Sequence, residues 1–149
     1  MSGFPRNEAL AGLAPFIGTW DSVGTHPEIE GEIHGETTFA WHESGAFVIM
    51  RSTTVEDVGV PSGVAIIGSD DKQGTYAMIY YDSRGVSRTM KVSIAENVLV
   101  WWRNSPEMSQ RYTFTVSGDM IISKGEASTD SGATWRRDLD QTFTRRPSS

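Results

Sequence analysis

The sequence predicts an all-β fold: a closed antiparallel up-and-down barrel of about ten strands with a short N-terminal helix, forming a single domain over residues 1–149. Three observations point there. From Ile17 onward, short runs rich in Val, Ile, Thr, Tyr, Phe and Trp alternate with clusters of Gly, Asp, Asn, Ser and Pro. The connections DDKQG, DSRG, AEN, NSPEM, SGD and TDSGA have hairpin length, and no second helical segment exists to make a parallel crossover. A meander of that many strands exposes two edges unless it curls and closes, so a barrel is preferred to a flat sheet.

Taken in order, the helix comes first. Asn7 caps it, Glu8 lies in its first turn, Leu10 and Leu13 share one side, and Pro15 stops it. The strands follow as Ile17 to His26, Glu32 to Trp41, Ala46 to Val55, Gly63 to Ser69, Thr75 to Asp82, Val86 to Ile94, Val98 to Arg103, Gln110 to Val116, Met120 to Ser128 and Thr134 to Arg145. The last hairpin contains STDSGATW, an S-x-D-x-G-x-x-W pattern best known from sialidase-like propellers. A propeller repeats its blade about every 40 to 50 residues, and the pattern occurs here once. It reads as a turn device: Asp130 bonds backbone amides two residues on, Gly132 takes positive φ, and Trp135 folds back over the hairpin.

Composition narrows the class. The chain has no cysteine, which excludes disulfides, thiolate metal sites and a cysteine nucleophile. MSGFPRNEAL lacks the basic and apolar regions of a signal peptide, so a cytoplasmic location is expected. A net charge of −6, with only the pairs Arg136/Arg137 and Arg145/Arg146 clustered, argues against nucleic acid and anionic membranes as partners. A small hydrophobic or amphipathic molecule is the expected partner, and a homodimer is left open.

Alternation assigns faces. In the last strand Trp135, Arg137, Leu139, Gln141, Phe143 and Arg145 share one side, taken as the inner one. Arg137 and Gln141 then stand among apolar neighbours, where a charge needs a partner or a ligand. Tyr80 shares a face with Met78, and Trp101 with Arg103. A barrel wider than eight strands leaves interior volume for a small ligand.

FIGTWDSVG resembles the G-x-W start of the calycins, which include lipocalins, fatty-acid-binding proteins and nitrobindin. IIGSDD, TYAMIYYDSRG and STDSGATW, in that order, are similar to the turns of bacterial lipocalin-like proteins. The resemblance implies a barrel end closed by Trp20, with Arg145 or Arg146 packed across it, and a ligand cavity inside. Nitrobindin-type haem ligation relies on a histidine late in the chain, and this sequence has none after His42.

Metal chemistry is not expected. His26, His34 and His42 are evenly spaced, but eight strand residues span about 26 Å, and alternation sends His34 and His42 outward. No G-x-S-x-G is present, and no nucleophile is tied to a base. The leading expectation is ligand binding with no cofactor: Trp41, Met78, Tyr80 and Trp101 as wall, Arg103, Arg111, Arg137 and Gln141 as polar end, and His26 near the rim. The alternatives are a cyclase- or isomerase-type barrel enzyme using Tyr80, His26 or Arg137 as its acid, a nitrobindin-like haem binder, and an interaction module with a filled interior.

Overall fold

The computed structural model describes residues 6–56, 59–69 and 75–147. A 3₁₀ helix (Glu8–Phe16) precedes β1 (Gly18–His26), β2 (Ile29–Trp41), β3 (Val48–Thr54), β4 (Gly63–Ser69), β5 (Tyr76–Asp82), β6 (Ser87–Ala95), β7 (Val98–Arg103), β8 (Ser109–Ser117), β9 (Met120–Ser128), β10 (Arg136–Arg137) and β11 (Asp140–Arg145). From β1 to β9 each strand pairs antiparallel with the next, and β10 and β11 both pair antiparallel with β9. β11 returns to β1, from Trp20 opposite Arg145 to Thr25 opposite Asp140. Since β10 and β11 both lie along the same side of β9, they form one interrupted stave, and the barrel has ten. The DDKQG turn lies outside the described residues. No helix among those described is long and apolar enough to cross a membrane.

One half of the barrel is solid. Leu10, Leu13 and Phe16 on the helix pack with Trp20, Phe39, Val48, Ile67, Met78, Leu99, Ile121 and Phe143, all essentially without solvent exposure. The helix is pinned at its start: the Asn7 side chain accepts from Ala9 N at 3.0 Å and donates to Ser69 Oγ at 2.8 Å. Trp20 donates its indole N–H to Phe16 O at 2.9 Å, which satisfies its buried donor. Of the two arginines expected near it, Arg145 takes the role. Its guanidinium sits 4.2 Å from the Trp20 ring centre and donates to Ile17 O and Pro15 O. Arg146 points outward to Asp21 and Glu36.

The STDSGATW segment is a turn. Ser128 Oγ donates to Asp130 Oδ1 at 2.7 Å, and Thr134 N donates to the same oxygen at 2.8 Å. Ser131 and Gly132 both take positive φ, 59° and 89°. The bonded amide lies four residues beyond Asp130, farther than the expected two. Bonds from the Thr134 hydroxyl and amide hold the Asp130 carboxyl at a pKa of about 2, below its usual value.

The expected continuous strand from Thr134 to Arg145 is broken, with consequences for the interior. Arg137 pairs with Glu126 and Gln141 with Ser123, so four steps on this strand oppose three on β9. The extra residue is a β-bulge, and it exchanges inner and outer positions. Glycines on both neighbours accommodate it. A Cβ on Gly24 in β1 would come within 2.7 Å of Asp140 O, and one on Gly125 in β9 within 2.6 Å of Leu139 O. The bulge is held by Asp138 N donating to Gly125 O at 2.9 Å and Gly125 N to Asp140 Oδ1 at 3.2 Å.

Candidate functional site

The half of the barrel away from the helix encloses a cavity of about 670 Å³. Its deep part is apolar, lined by Met50, Ala65, Met90, Trp101 and Phe114. Above them lies a connected polar network. Asp138, brought inward by the bulge, accepts from Tyr112 OH at 2.8 Å and Gln110 Nε2 at 3.3 Å, with His26 Nε2 at 2.9 Å from its other oxygen. Gln110 Oε1 accepts from Arg88 at 3.2 Å. A second cluster borders it: Tyr80 donates to Asp82 at 2.8 Å, and Arg84 clamps the same carboxylate at 2.6 Å.

Electrostatics follow from these contacts. Hydrogen bonds from Arg84, then that from Tyr80, lower the Asp82 pKa to about 2 against the opposing effect of burial. Burial first and the Asp82 bond second push the Tyr80 phenol up to about 12. Burial, reinforced by the Asp138 charge, raises Tyr112 further still. Both tyrosines are therefore neutral donors at ordinary pH. His26 has both ring nitrogens engaged, since Nδ1 accepts from Glu28 N at 3.1 Å. Accepting there leaves the proton on Nε2, directed at Asp138.

Two inward glycines shape the chamber. A Cβ on Gly125 would lie 2.5 Å from the Tyr112 ring, and one on Gly63 would lie 3.1 Å from the Tyr80 ring. Their absence lets both rings lie back against the wall, which keeps the chamber open and brings Tyr112 to Asp138.

Of the residues expected in the site, His26, Tyr80, Trp101, Arg137 and Gln141 line the cavity. Arg137 does so with half its side chain in solvent, opposite outward Glu126 and 3.8 Å from Asp140. It is not a core charge: the bulge places Arg136 and Asp138 on the inward side before the break and Gln141 after it. Trp41 and Met78 belong to the solid half, Met78 fully buried and Trp41 packed against the core with Arg6 over its ring. Arg111 is on the outer surface, 3.1 Å from Glu126 and stacked on Trp135, itself outside the inner face expected for it. Arg103 stands opposite Gln110 at the end of β7 without lining the cavity.

Sequence reasoning missed Arg88, Gln110, Tyr112 and Asp138. A signal for the last existed: glycine inside a strand marks bulges and close backbone approach, and VGTH and KGEA each carry one. His34 binds Glu56 at 3.0 Å, and His42 stacks on Phe47, so the three histidines are apart. No group of three or more metal-type ligands occurs among the described residues.

No family model and no curated protein matches the chain. Solved structures do. Rv2717c from M. tuberculosis superposes with a TM-score of 0.66 at 17% identity, over 95% of this chain and 99% of that one. The S-type phycobiliprotein lyase CPES from Guillardia theta gives 0.63 at 12% identity, over 97% and 100%. The fold is therefore that of a lipocalin-like barrel, spanned almost end to end.

Proposed function

We propose that the barrel binds a small, largely apolar molecule bearing an anionic group, its body against Met50, Met90, Trp101 and Phe114 and its anion at Arg88. One observation carries this reading. Of the carboxylates lining or bordering the cavity, Glu28 is exposed at the mouth, Asp138 is engaged by Tyr112, Gln110 and His26, and Asp82 by Arg84 and Tyr80, whereas Arg88 has the neutral Gln110 oxygen as its hydrogen-bond partner. No carboxylate lies within ion-pair distance of Arg88 among the described residues. A partly buried guanidinium left with a neutral partner bears a desolvation cost that a ligand anion offsets through charge-assisted bonds. The volume, about 670 Å³, lies in the range of small-molecule sites.

The enzyme reading has its own support, the His26–Asp138–Tyr112 array and a structural neighbour named as a lyase. Binding is favoured because a histidine acting as base, or as a haem ligand, needs a free nitrogen, and both nitrogens of His26 are engaged. The test is titration with anilinonaphthalene sulfonate, read by fluorescence. Arg88→Met should weaken binding about tenfold, or ~1.4 kcal/mol, with the melting temperature unchanged or raised. Unchanged affinity removes Arg88 from the site. No binding by the parent protein overturns the reading itself.

A further inference from the structure

Resting on that reading, we infer that Gln110 is a positioning residue for the anion site: a neutral spacer that keeps Arg88 from pairing with Asp138 and so leaves the guanidinium charge for the ligand. The amide bridges the two groups. Its oxygen accepts from Arg88 at 3.2 Å, and its Nε2 donates to Asp138 at 3.3 Å. Arg88 and Asp138 thus stand one amide and two hydrogen bonds apart on a cavity that both line, yet among the described residues they form no ion pair.

Chemistry allows the amide one orientation. A carboxylate only accepts and a guanidinium only donates, so the NH2 faces Asp138 and the oxygen faces Arg88. Reversal would set donor against donor at one end and acceptor against acceptor at the other. Tyr112, donating to the same Asp138 oxygen at 2.8 Å, and His26, 2.9 Å from the other, hold the carboxylate on its own side of the amide.

Asp82 is treated in the same way. Tyr80, directly opposite Arg88 across β5 and β6, donates to Asp82, which Arg84 also clamps. Each of these carboxylates therefore bonds a neutral side chain that adjoins Arg88. The consequence is energetic. A guanidinium–carboxylate fork is among the strongest side-chain contacts, and a ligand anion would have to displace it. Against an amide oxygen, the ligand displaces one hydrogen bond to a neutral acceptor.

The test starts from Gln110→Met in the full chain, which removes the amide at similar length and unchanged net charge. In a crystal structure of that variant Arg88 should lie within ion-pair distance of Asp138, and anilinonaphthalene sulfonate affinity should fall about tenfold. Adding Asp138→Asn removes the rival acid and should restore affinity to within about threefold of the parent, whereas Asp138→Asn alone should shift it by less than about threefold. A loss due to packing at Gln110 would not be recovered by a second change in the network. Circular dichroism checks the fold, and Gln110→Ala replaces Gln110→Met if the latter fails to fold. An unmoved Arg88, an unchanged affinity, or a loss that Asp138→Asn does not recover overturns the spacer inference, and cavity binding stands where Arg88→Met still weakens the parent. No binding by the parent protein overturns both.

Discussion

The two halves of the barrel are built from the same ten staves and the same alternation, yet one is solid and the other hollow. In the helix half, inward positions carry Trp20, Phe39, Ile67, Met78, Leu99 and Phe143, and the polar atoms present are backbone carbonyls met by Trp20 and Arg145. In the far half the inward positions carry Gly24, Gly35, Ser52, Gly63 and Gly125 between Tyr80, Arg88, Gln110, Tyr112 and Asp138. Small residues opposite long polar ones leave space. Large residues opposite large ones do not. Stability should therefore be concentrated at one end and recognition at the other, and substitutions can break that division.

The largest effect is expected at the solid end. Trp20→Ala removes a fully buried indole, its bond to Phe16 O and the surface on which Arg145 stacks. Large-to-small core changes of this kind cost about 3 to 5 kcal/mol, much of the stability of a typical domain. Urea denaturation measures it. A loss below about 1 kcal/mol would mean that the helix half is not the anchor of the fold.

An intermediate effect is expected at the boundary between bulge and cavity. In Gly125→Ala the new methyl would stand 2.5 Å from the Tyr112 ring and 2.6 Å from Leu139 O, and the second contact is backbone. Relief requires Tyr112 to swing away from Asp138 or the bulge to move. Overpacking of this kind costs about 1 to 3 kcal/mol. The distinguishing result is functional: probe binding should weaken by more than the modest stability loss suggests, because the network turns on Tyr112. Retained affinity with lowered stability would assign Gly125 to packing alone.

Legibility in the sequence divides along the same line. G-T-W, the capped helix and the terminal arginine pair belong to the solid end, where local pattern and tertiary position agree, and each occupies its expected place, save that the helix runs through Pro15, expected to stop it, to Phe16. Strand number and order followed from hairpin-length connections. The polar end was read less well because alternation was carried without interruption through ATWRRDLDQTF. A single bulge reversed the parity, and with it the roles of Arg137 and Asp138. Arg88 and Gln110 escaped for a different reason. Each sits on a strand whose own pattern is ordinary, and only the pairing of β8 with β9, and through it with the bulge, brings them to one cluster.

The smallest effect is expected at the residue that strict alternation made most important. Arg137, read as an inner charge, would bind a ligand anion or pair with a buried acid, so its loss would cost either about tenfold in affinity or about 3 to 5 kcal/mol in stability. In the folded chain it stands opposite Glu126 on the outer side, 51% exposed, with Asp140 at 3.8 Å. An exposed pair of that kind contributes about 0 to 1 kcal/mol. Arg137→Leu should therefore change the unfolding free energy by less than about 1 kcal/mol and anilinonaphthalene sulfonate affinity by less than about twofold, while Arg88→Met lowers affinity about tenfold. The two variants remove the same charge from residues that both line the cavity, so their difference isolates orientation from net electrostatics. If Arg137→Leu instead costs as much affinity as Arg88→Met, the anion lies at the mouth and not at Arg88. Equal losses that both vanish at high salt would mean that the probe senses the field of the mouth, with no single guanidinium in contact.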